Sequence, residues 1–254
     1  MQPTIVALMV FICTFGGVLV GMKLRTLLPD GHIDAESKDT IKVGIALIAT
    51  MTALVLGLVT ASAKASFDAV DATVKHTAAD LLALDRILAR YGPQTAQIRA
   101  ELKQALAHRI EMTWPASPAR QVDLAPPNAG RGAEELAAQI RALVPQNAEQ
   151  QWLQGRAVDL SESLLTARWM VVAALGTSIP VAFLSIMLFW LTITFTSFGL
   201  FAPRNATVVA VMFMCALSVA AALFLVLEME SPFGGFITVS PEPLKYALAH
   251  LDRQ

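Results

Sequence analysis

The sequence predicts an all-α membrane protein with four transmembrane helices, the second and third of which continue into a helical domain in water. Composition is the first reason: 55% of the 254 residues are hydrophobic and only 15% are charged, whereas soluble domains carry about 25% charge. Distribution is the second, because long uncharged runs at both ends flank a middle of ordinary soluble composition. The third is one stretch, from about Ile41 to Tyr91, that begins as an apolar span and goes on as a heptad pattern.

The bulk numbers also exclude several classes of protein. A net charge of -1 provides no electrostatic footprint for nucleic acid, so we expect no nucleic-acid partner. Cys13 and Cys215 lie inside apolar runs, which favours small core residues over a disulfide. The first apolar run lacks a basic leader and a small-residue cleavage site, which favours an uncleaved membrane anchor over a signal peptide.

The first predicted span runs from about Thr4 to Met22 and is long enough to cross a bilayer. Gly17 and Gly21 form a GxxxG pair, a spacing that lets two helix backbones approach closely. The partner helix can belong to the same subunit or to a neighbouring one, and the sequence leaves both interpretations open.

The second span and its continuation lack proline and glycine from Gly57 to Gly92-Pro93, which predicts one helix of roughly fifty residues and about 75 Å. Its apolar face recurs in steps of three and four residues, the pattern of a heptad seam, at Phe67, Val70, Val74, Thr77, Leu81, Leu84, Leu88 and Tyr91. Followed back into the membrane, the same phase passes Ala63, Thr60, Leu56 and Ala53. This face either packs inside the subunit or surrounds a central axis in an oligomer.

The remaining elements follow from breakers and caps. We expect an amphipathic helix over 94–113 that packs back on the long helix, and a short helix over 133–144. Asn147 is the predicted N-cap of a second long helix that runs unbroken into a third span, about Trp169 to Phe198, with a bend at Pro180. Asn205 begins the fourth span, and a turn-rich segment and a short helix end the chain.

The predicted domain boundaries follow these elements. Residues 1–61 carry the first two membrane helices, 62–168 the helical insert, 169–228 the third and fourth membrane helices, and 229–254 the C-terminal tail. Nucleotide-binding loops, serine-hydrolase elbows and zinc motifs are absent from the sequence, and no carboxylate lies in the middle of a span. We therefore expect no catalytic residues, no metal and no cofactor, and not an enzyme.

Two short patches resemble a known family. The fourth span is followed by Glu230-Ser231-Pro232-Phe233-Gly234 and then by Ser240-Pro241-Glu242-Pro243-Leu244, and the second span ends in Thr60-Ala61-Ser62-Ala63. With the order of spans and insert, these resemble the bacterial bestrophin-like domain membrane proteins and, more distantly, the bestrophin anion channels. Val59 stands where bestrophins carry an arginine, and the acidic tail of their calcium clasp is missing, so ion selectivity and calcium gating are not implied.

The resemblance implies a homo-oligomer, pentameric in bestrophins, with helix 2 around a pore for a permeant ion. On that reading Ala53, Leu56, Thr60, Ala63 and Phe67 face the axis, with Leu56 and Phe67 as hydrophobic constrictions. The candidate residues of the membrane-exit turn are Glu228, Glu230, Ser231, Pro232, Phe233 and Gly234. The two glutamates either hold a cation or an arginine at a subunit contact or form a solvated helix end.

A different function remains open from the same sequence. The chain is alternatively a non-conducting membrane scaffold or sensor that binds a partner through its heptad face. In either case we expect the lipid bilayer of the bacterial inner membrane as its surroundings, with both termini and the insert in the cytoplasm. Lysines and arginines near the membrane tie between the two sides, so the orientation rests on the helical, disulfide-free character of the insert.

Overall fold

The computed structural model describes residues 2–27, 35–115, 131–175, 180–203 and 205–251, without the side chains of 35–38, 131 and 175. Within these residues the regular secondary structure is helical. The predicted loop around 116–130 lies outside them. The helices of this described part are α1 (Pro3–Leu24), α2 (Ala35–Tyr91), α3 (Ala96–Thr113), α4 (Arg131–Ala142), α5 (Ala148–Leu175), α6 (Val181–Phe201), α7 (Ala206–Met229) and α8 (Glu242–His250).

Four of these helices, α1, α2, α6 and α7, are long and apolar enough to cross a membrane, which confirms the predicted all-α class with four spans. The contacts divide the chain into two compact units. The membrane unit comprises Met1–Ala65 and Ser178–Glu230, and the insert unit comprises Ser66–Thr177 and Ser231–Gln254. The single helix α2 contributes to both units, and the C-terminal tail belongs to the insert unit.

Close backbone contact joins α1 to α6 in the membrane unit. A Cβ on Gly21 would overlap the carbonyl oxygen of Thr196, and a Cβ on Gly199 would overlap the carbonyl oxygen of Val18. The core around this crossing is apolar and includes residues of α1, α6 and α7, namely Val10, Val18, Met187, Phe195 and Leu223. Glycine is required at the crossing because any side chain there would push the two helices apart.

The insert unit is built around the second half of α2. One buried cluster joins residues of α3, α4, α5 and α8 to the apolar face of α2, which consists of Val70, Val74, Leu81, Leu84 and Leu88. The predicted packing of the amphipathic helix, α3, on the long helix α2 is therefore confirmed. Caps close the ends of these helices.

Gly92 adopts φ 132°, a conformation that favours glycine, and it ends α2. The hydroxyl oxygen of Thr95 then lies 2.5 Å from the carbonyl oxygen of Leu88 and 2.8 Å from that of Gly92, so its single proton is donated to a carbonyl at the end of α2. Asn147 caps α5 as predicted, because the amide of Gln150 donates to its Oδ1 at 2.8 Å. Asn205 caps α7 in the same way, accepting from the amide of Val208.

The prediction of one unbroken helix into the third span is wrong. Helix α5 ends at Leu175 and α6 begins at Val181, with Pro180 between them at φ -57° and ψ 133°, an extended conformation. Proline has no N–H to donate and its ring clashes with the carbonyl four residues earlier, so it starts a helix more readily than it bends one. The third span is therefore α6 alone, and residues 169–175 belong to the helix of the insert unit.

Candidate functional site

The membrane half of α2 has little of its surface covered by its own chain. Only 17% of its most apolar window is buried, compared with 39% for α1. At about 100° per residue, its side chains divide into three faces. Each face has a different chemical character, and the differences indicate what surrounds the helix.

One face packs inside the membrane unit. Val59 and Ala63 are buried together with Val226 of α7, and Val55 and Met229 pack around them. The hydroxyl of Thr52, also buried, donates to the carbonyl oxygen of Ile48 at 2.8 Å, so its polar group is satisfied within the helix. This face holds α2 to α7 and is closed to any ligand.

The second face is bulky and apolar. Its members recur in steps of four, three and four residues and are all exposed, and they are Leu47, Met51, Leu54 and Leu58. Side chains of this kind suit contact with lipid acyl chains, because no polar group has to be satisfied there.

The third face, here called the small face, consists of Thr50, Ala53, Gly57 and Thr60, all exposed. A Cβ added to Gly57 would meet no atom within 4 Å. The hydroxyls of Thr50 and Thr60 donate to the carbonyl oxygens of Ala46 and Leu56, each at 2.7 Å. Their protons are thus used inside the helix, and the remaining oxygen lone pairs are open to the surroundings as acceptors.

The five residues predicted to face an axis do not share one exposed face. Ala53 and Thr60 lie on the small face, whereas Ala63 is only 6% exposed and packs on α7. Leu56 is half-buried against the core of the membrane unit, and Phe67 is half-buried against the core of the insert unit. The prediction carried the heptad spacing of residues 67–91 back into the membrane half of α2. On a straight helix, positions seven residues apart are not aligned but rotate by about 20° per heptad.

That drift also explains why the seam changes its surroundings. Ala53 and Leu88 are five heptads apart, which corresponds to a rotation of about 100° around the helix. The positions that are buried at Leu81 and Leu88 therefore become exposed by the time the same phase reaches Thr60 and Ala53. Thr50 and Gly57, which lie outside the heptad phase, form the exposed small face together with Ala53 and Thr60.

The membrane-exit turn is an anchor in the insert unit. Phe233 is buried and its ring meets that of Trp114 edge to face, with centroids 5.4 Å apart. Trp114 Nε1 donates to the carbonyl oxygen of Val239 at 2.8 Å, and the Val239 amide donates to the carbonyl oxygen of Pro232 at 2.7 Å. Sequence reasoning missed Trp114, because a partner more than a hundred residues away leaves no local pattern.

The other residues of the turn are placed as follows. Pro232 is buried, Ser231 and Gly234 are exposed, and the Gly234 amide donates to the carbonyl oxygen of Ser231 at 3.0 Å. Glu228 is only 5% exposed, so its interpretation as a solvated helix end is wrong, and Glu230 is half-buried. Both glutamates take part in interactions with other groups.

Gly17 and Gly21 lie against α6 of the same chain. A Cβ on Gly17 would come within 2.7 Å of the Thr196 hydroxyl oxygen and 3.2 Å of the Thr192 carbonyl oxygen. The pair is therefore occupied within the subunit, the first of the two interpretations that the sequence left open. Gly16, next to it, faces open space.

Comparison with known proteins supports the resemblance noted in the sequence. A family model described as Bestrophin-like domain matches residues 12–244. No curated protein and no solved structure matches the chain. The matched segment begins in α1, includes all of α2 to α7 and ends in α8. Because it spans far more than half of the 254 residues, the chain belongs to the bestrophin-like domain family.

Proposed function

We propose that the protein forms a homo-oligomeric, ion-conducting pore in which the small face of α2 lines the central axis. The observation that carries this proposal is that the subunit leaves exposed a small, weakly polar, uncharged face in the middle of a transmembrane helix. Family membership supports the proposal, since bestrophins are the distant relatives that the sequence resembles. The pore is a passive conductor and not an enzyme.

The contrast between the two exposed faces of α2 argues for two different surroundings. The bulky face, Leu47 to Leu58, has the character of a lipid contact, whereas the small face leaves room for close packing or for water. If lipid surrounded both faces, there would be no physical reason for one face to consist of small residues and the other of leucines and methionine. We therefore place the small face toward the axis of an oligomer and the bulky face away from it.

The small face suits the passage of a partly hydrated ion. Between Lys42 and Lys64 the sequence has no charged residue, so the wall attracts ions weakly and releases them readily. Thr50 and Thr60 are ten residues apart, which separates their rings of oxygen acceptors by about 15 Å along the axis. Leu56, half-buried at the edge of this face, is the proposed hydrophobic constriction that gates by dewetting.

The test uses the full-length protein with Cys13 and Cys215 replaced by serine. Thr60→Cys is compared with Leu58→Cys, because the two positions lie about 200° apart around the helix. Ion flux is measured in liposomes before and after a charged, membrane-impermeant thiol reagent. We expect the reagent to reduce flux through the Thr60→Cys variant and to leave the Leu58→Cys variant unchanged. Leu56→Ala should raise the basal flux.

The oligomeric state provides an independent check, measured by native mass spectrometry in detergent. A ring of several subunits is expected, whereas a monomer or a dimer would remove the axis and with it the pore. Absence of flux in the parent and in Leu56→Ala, or equal reagent effects at positions 58 and 60, would also refute the proposal.

The scaffold alternative depends on a heptad face that is free to bind a partner. That face, from Val70 to Leu88, is buried in the core of the insert unit by the chain's own helices. No described feature favours the alternative over the pore. We place the protein in the bacterial inner membrane, with the termini and the insert unit on the cytoplasmic side, and cysteine labelling from each side tests this orientation.

A further inference from the structure

A pocket of about 590 Å³ lies between α2, α6 and α7 in the membrane unit. Pockets that bind small organic molecules have volumes of about 300–1,000 Å³, so this one is large enough for part of such a molecule. The described residues that line it are all apolar except Lys42. Its lining includes Ala46 and Ala49 of α2, Phe198 of α6 and Met212 of α7.

The pocket lies where the packing of α2 on its neighbours is incomplete. Further along α2, Val59 and Ala63 are buried against Val226 of α7. Beside the pocket, in contrast, Ala46 is exposed and Ala49 is only half-buried. An apolar cavity disfavours water, which needs polar partners, and binds apolar molecules instead. Within a bilayer the apolar material that surrounds a protein is lipid acyl chain, so the lining indicates an acyl chain as its occupant.

One end of the pocket lies at the membrane surface. Lys42 is the last charged residue before the uncharged stretch of α2 that reaches to Lys64. Ala202 and Pro203, which follow the end of α6, line the pocket as well. From Lys42 to Ala49 the helix rises about 10 Å, which is within the roughly 15 Å of hydrocarbon in one leaflet. A lipid with its headgroup at Lys42 therefore places the first part of an acyl chain in the pocket.

Two basic side chains lie at this end. Lys42 lines the pocket itself, and Nη1 of Arg25 donates to the carbonyl oxygen of Ala202, another lining residue, at 2.6 Å. Arg25 is exposed and has five N–H donors, of which this hydrogen bond uses one. Lys42 also pairs with Asp39 at 3.1 Å, but the two side chains are 60% and 76% exposed, and such a surface pair contributes little. A phosphate complements this positive end, because charge-assisted hydrogen bonds to phosphate are among the strongest that arginine and lysine form.

We propose that this pocket binds an anionic phospholipid, with the phosphate at Lys42 and Arg25 and one acyl chain between α2 and the pair α6 and α7. A zwitterionic lipid fills the apolar part equally well, but its headgroup adds a positive charge beside the two basic side chains. The bound lipid completes the packing of α2 at the end where its own chain leaves it open. The described lining residues differ from the four of the small face, and the proposal holds whether or not the protein conducts ions.

The test is photolabelling of the full-length protein in liposomes. Phosphatidylglycerol with a diazirine in one acyl chain is compared with phosphatidylcholine of the same chains, and the labelled residues are identified by peptide mass spectrometry. Labelling of the bulky face of α2, Leu47 to Leu58, measures general contact with lipid. A basic side chain at a membrane surface contributes about a factor of five in affinity for anionic lipid. For labelling at Met212, we therefore expect half-saturation at a mole fraction of phosphatidylglycerol about thirtyfold lower than that of phosphatidylcholine.

Charge variants test the positive end of the pocket. Arg25→Gln and Lys42→Gln should each raise the mole fraction of phosphatidylglycerol at half-saturation about fivefold, and the double variant should raise it about thirtyfold. Lys23→Gln is the matched control, because Lys23 is an exposed cation in the last turn of α1 and is not among the described lining residues. It should leave the preference for phosphatidylglycerol unchanged.

A bulky variant tests the apolar part. Ala49→Trp should abolish labelling at Met212, because the larger side chain occupies the pocket that both residues line. Ala221→Trp is the control of the same size, at an exposed position of α7 that is not among the described lining residues. It should leave labelling at Met212 unchanged.

Four results would overturn the proposal. The first is equal labelling at Met212 by the two lipids in the parent protein, which does not depend on any variant folding correctly. The second is an undiminished preference in the double variant of Arg25 and Lys42. The third is an equal loss in Lys23→Gln, which would assign the preference to the general charge of the surface. The fourth is labelling of the bulky face without any at Met212, which would show that a neighbouring copy of the chain covers the pocket.

Discussion

Gly21→Ala should destabilise the membrane unit by forcing α1 away from α6. The added Cβ would overlap the Thr196 carbonyl oxygen and come within 2.8 Å of the Leu200 amide nitrogen. Both are backbone atoms of α6, so they cannot rotate out of the way as a side-chain end can. Overpacking of this kind costs about 1–3 kcal/mol.

Gly16→Ala is the matched control on the same helix, because its Cβ would meet no atom within 4 Å. Replacing this glycine should stabilise the helix by about 0.5–1 kcal/mol through the lower flexibility of alanine. The expected gap between the two variants in the free energy of unfolding is therefore roughly 1.5–4 kcal/mol.

The assay is unfolding of the purified protein in mixed micelles by increasing mole fractions of sodium dodecyl sulfate, followed by circular dichroism. Gly21→Ala should unfold at a lower mole fraction than the parent, and Gly16→Ala should not. If the two variants share one midpoint, the close crossing of α1 and α6 is incorrect. If Gly21→Ala keeps its midpoint but dissociates the oligomer, the glycine pair is a contact between subunits and not within one.

Two further predictions concern the insert unit and use the same unfolding assay. Asp85→Asn should lower the free energy of unfolding by about 3–5 kcal/mol, because it removes the buried carboxylate that balances the charge of Arg99. Arg141→Gln should lower it by less than about 1 kcal/mol, because that ion pair is exposed. Equal costs would contradict the assigned burial. Phe233→Ala should cost about 3–5 kcal/mol and speed proteolysis of the C-terminal tail, because the ring is buried. Phe236→Ala, at a ring that is 86% exposed, should be nearly neutral, and a similar loss in both variants would show that the tail is not anchored through Phe233.

Local signals in the sequence account for most of the helices. Helix α2 is predictable because no glycine or proline occurs between Gly57 and Gly92. The helix starts at Asn147 and Asn205 are predictable because the side-chain oxygen of asparagine accepts from free backbone amides. The break at Pro180 is harder to predict, since apolar residues continue on both sides of it and hydropathy alone does not separate a bend from an end.

The candidate site required distances in space. Whether Ala63 faces an axis or α7 depends on the rotation of α2, and a heptad read from the sequence accumulates error along a straight helix. The contact between Trp114 and Phe233 joins segments far apart in the chain. Periodicity describes which face of one helix is apolar, but it contains no information about which other helix covers that face.

The docking of the C-terminal tail has a consequence for biosynthesis. Phe233, Val239, Leu244, Ala247 and Leu251 complete the same core as Val70, Leu84 and Leu88 of the rod. The ribosome makes the first group after α7. While α6 and α7 enter the bilayer, the core of the insert unit therefore still lacks the residues of the tail. A nascent chain that stops at Met229 would contain α1, α2, α6 and α7 and yet leave that core exposed to chaperones and proteases.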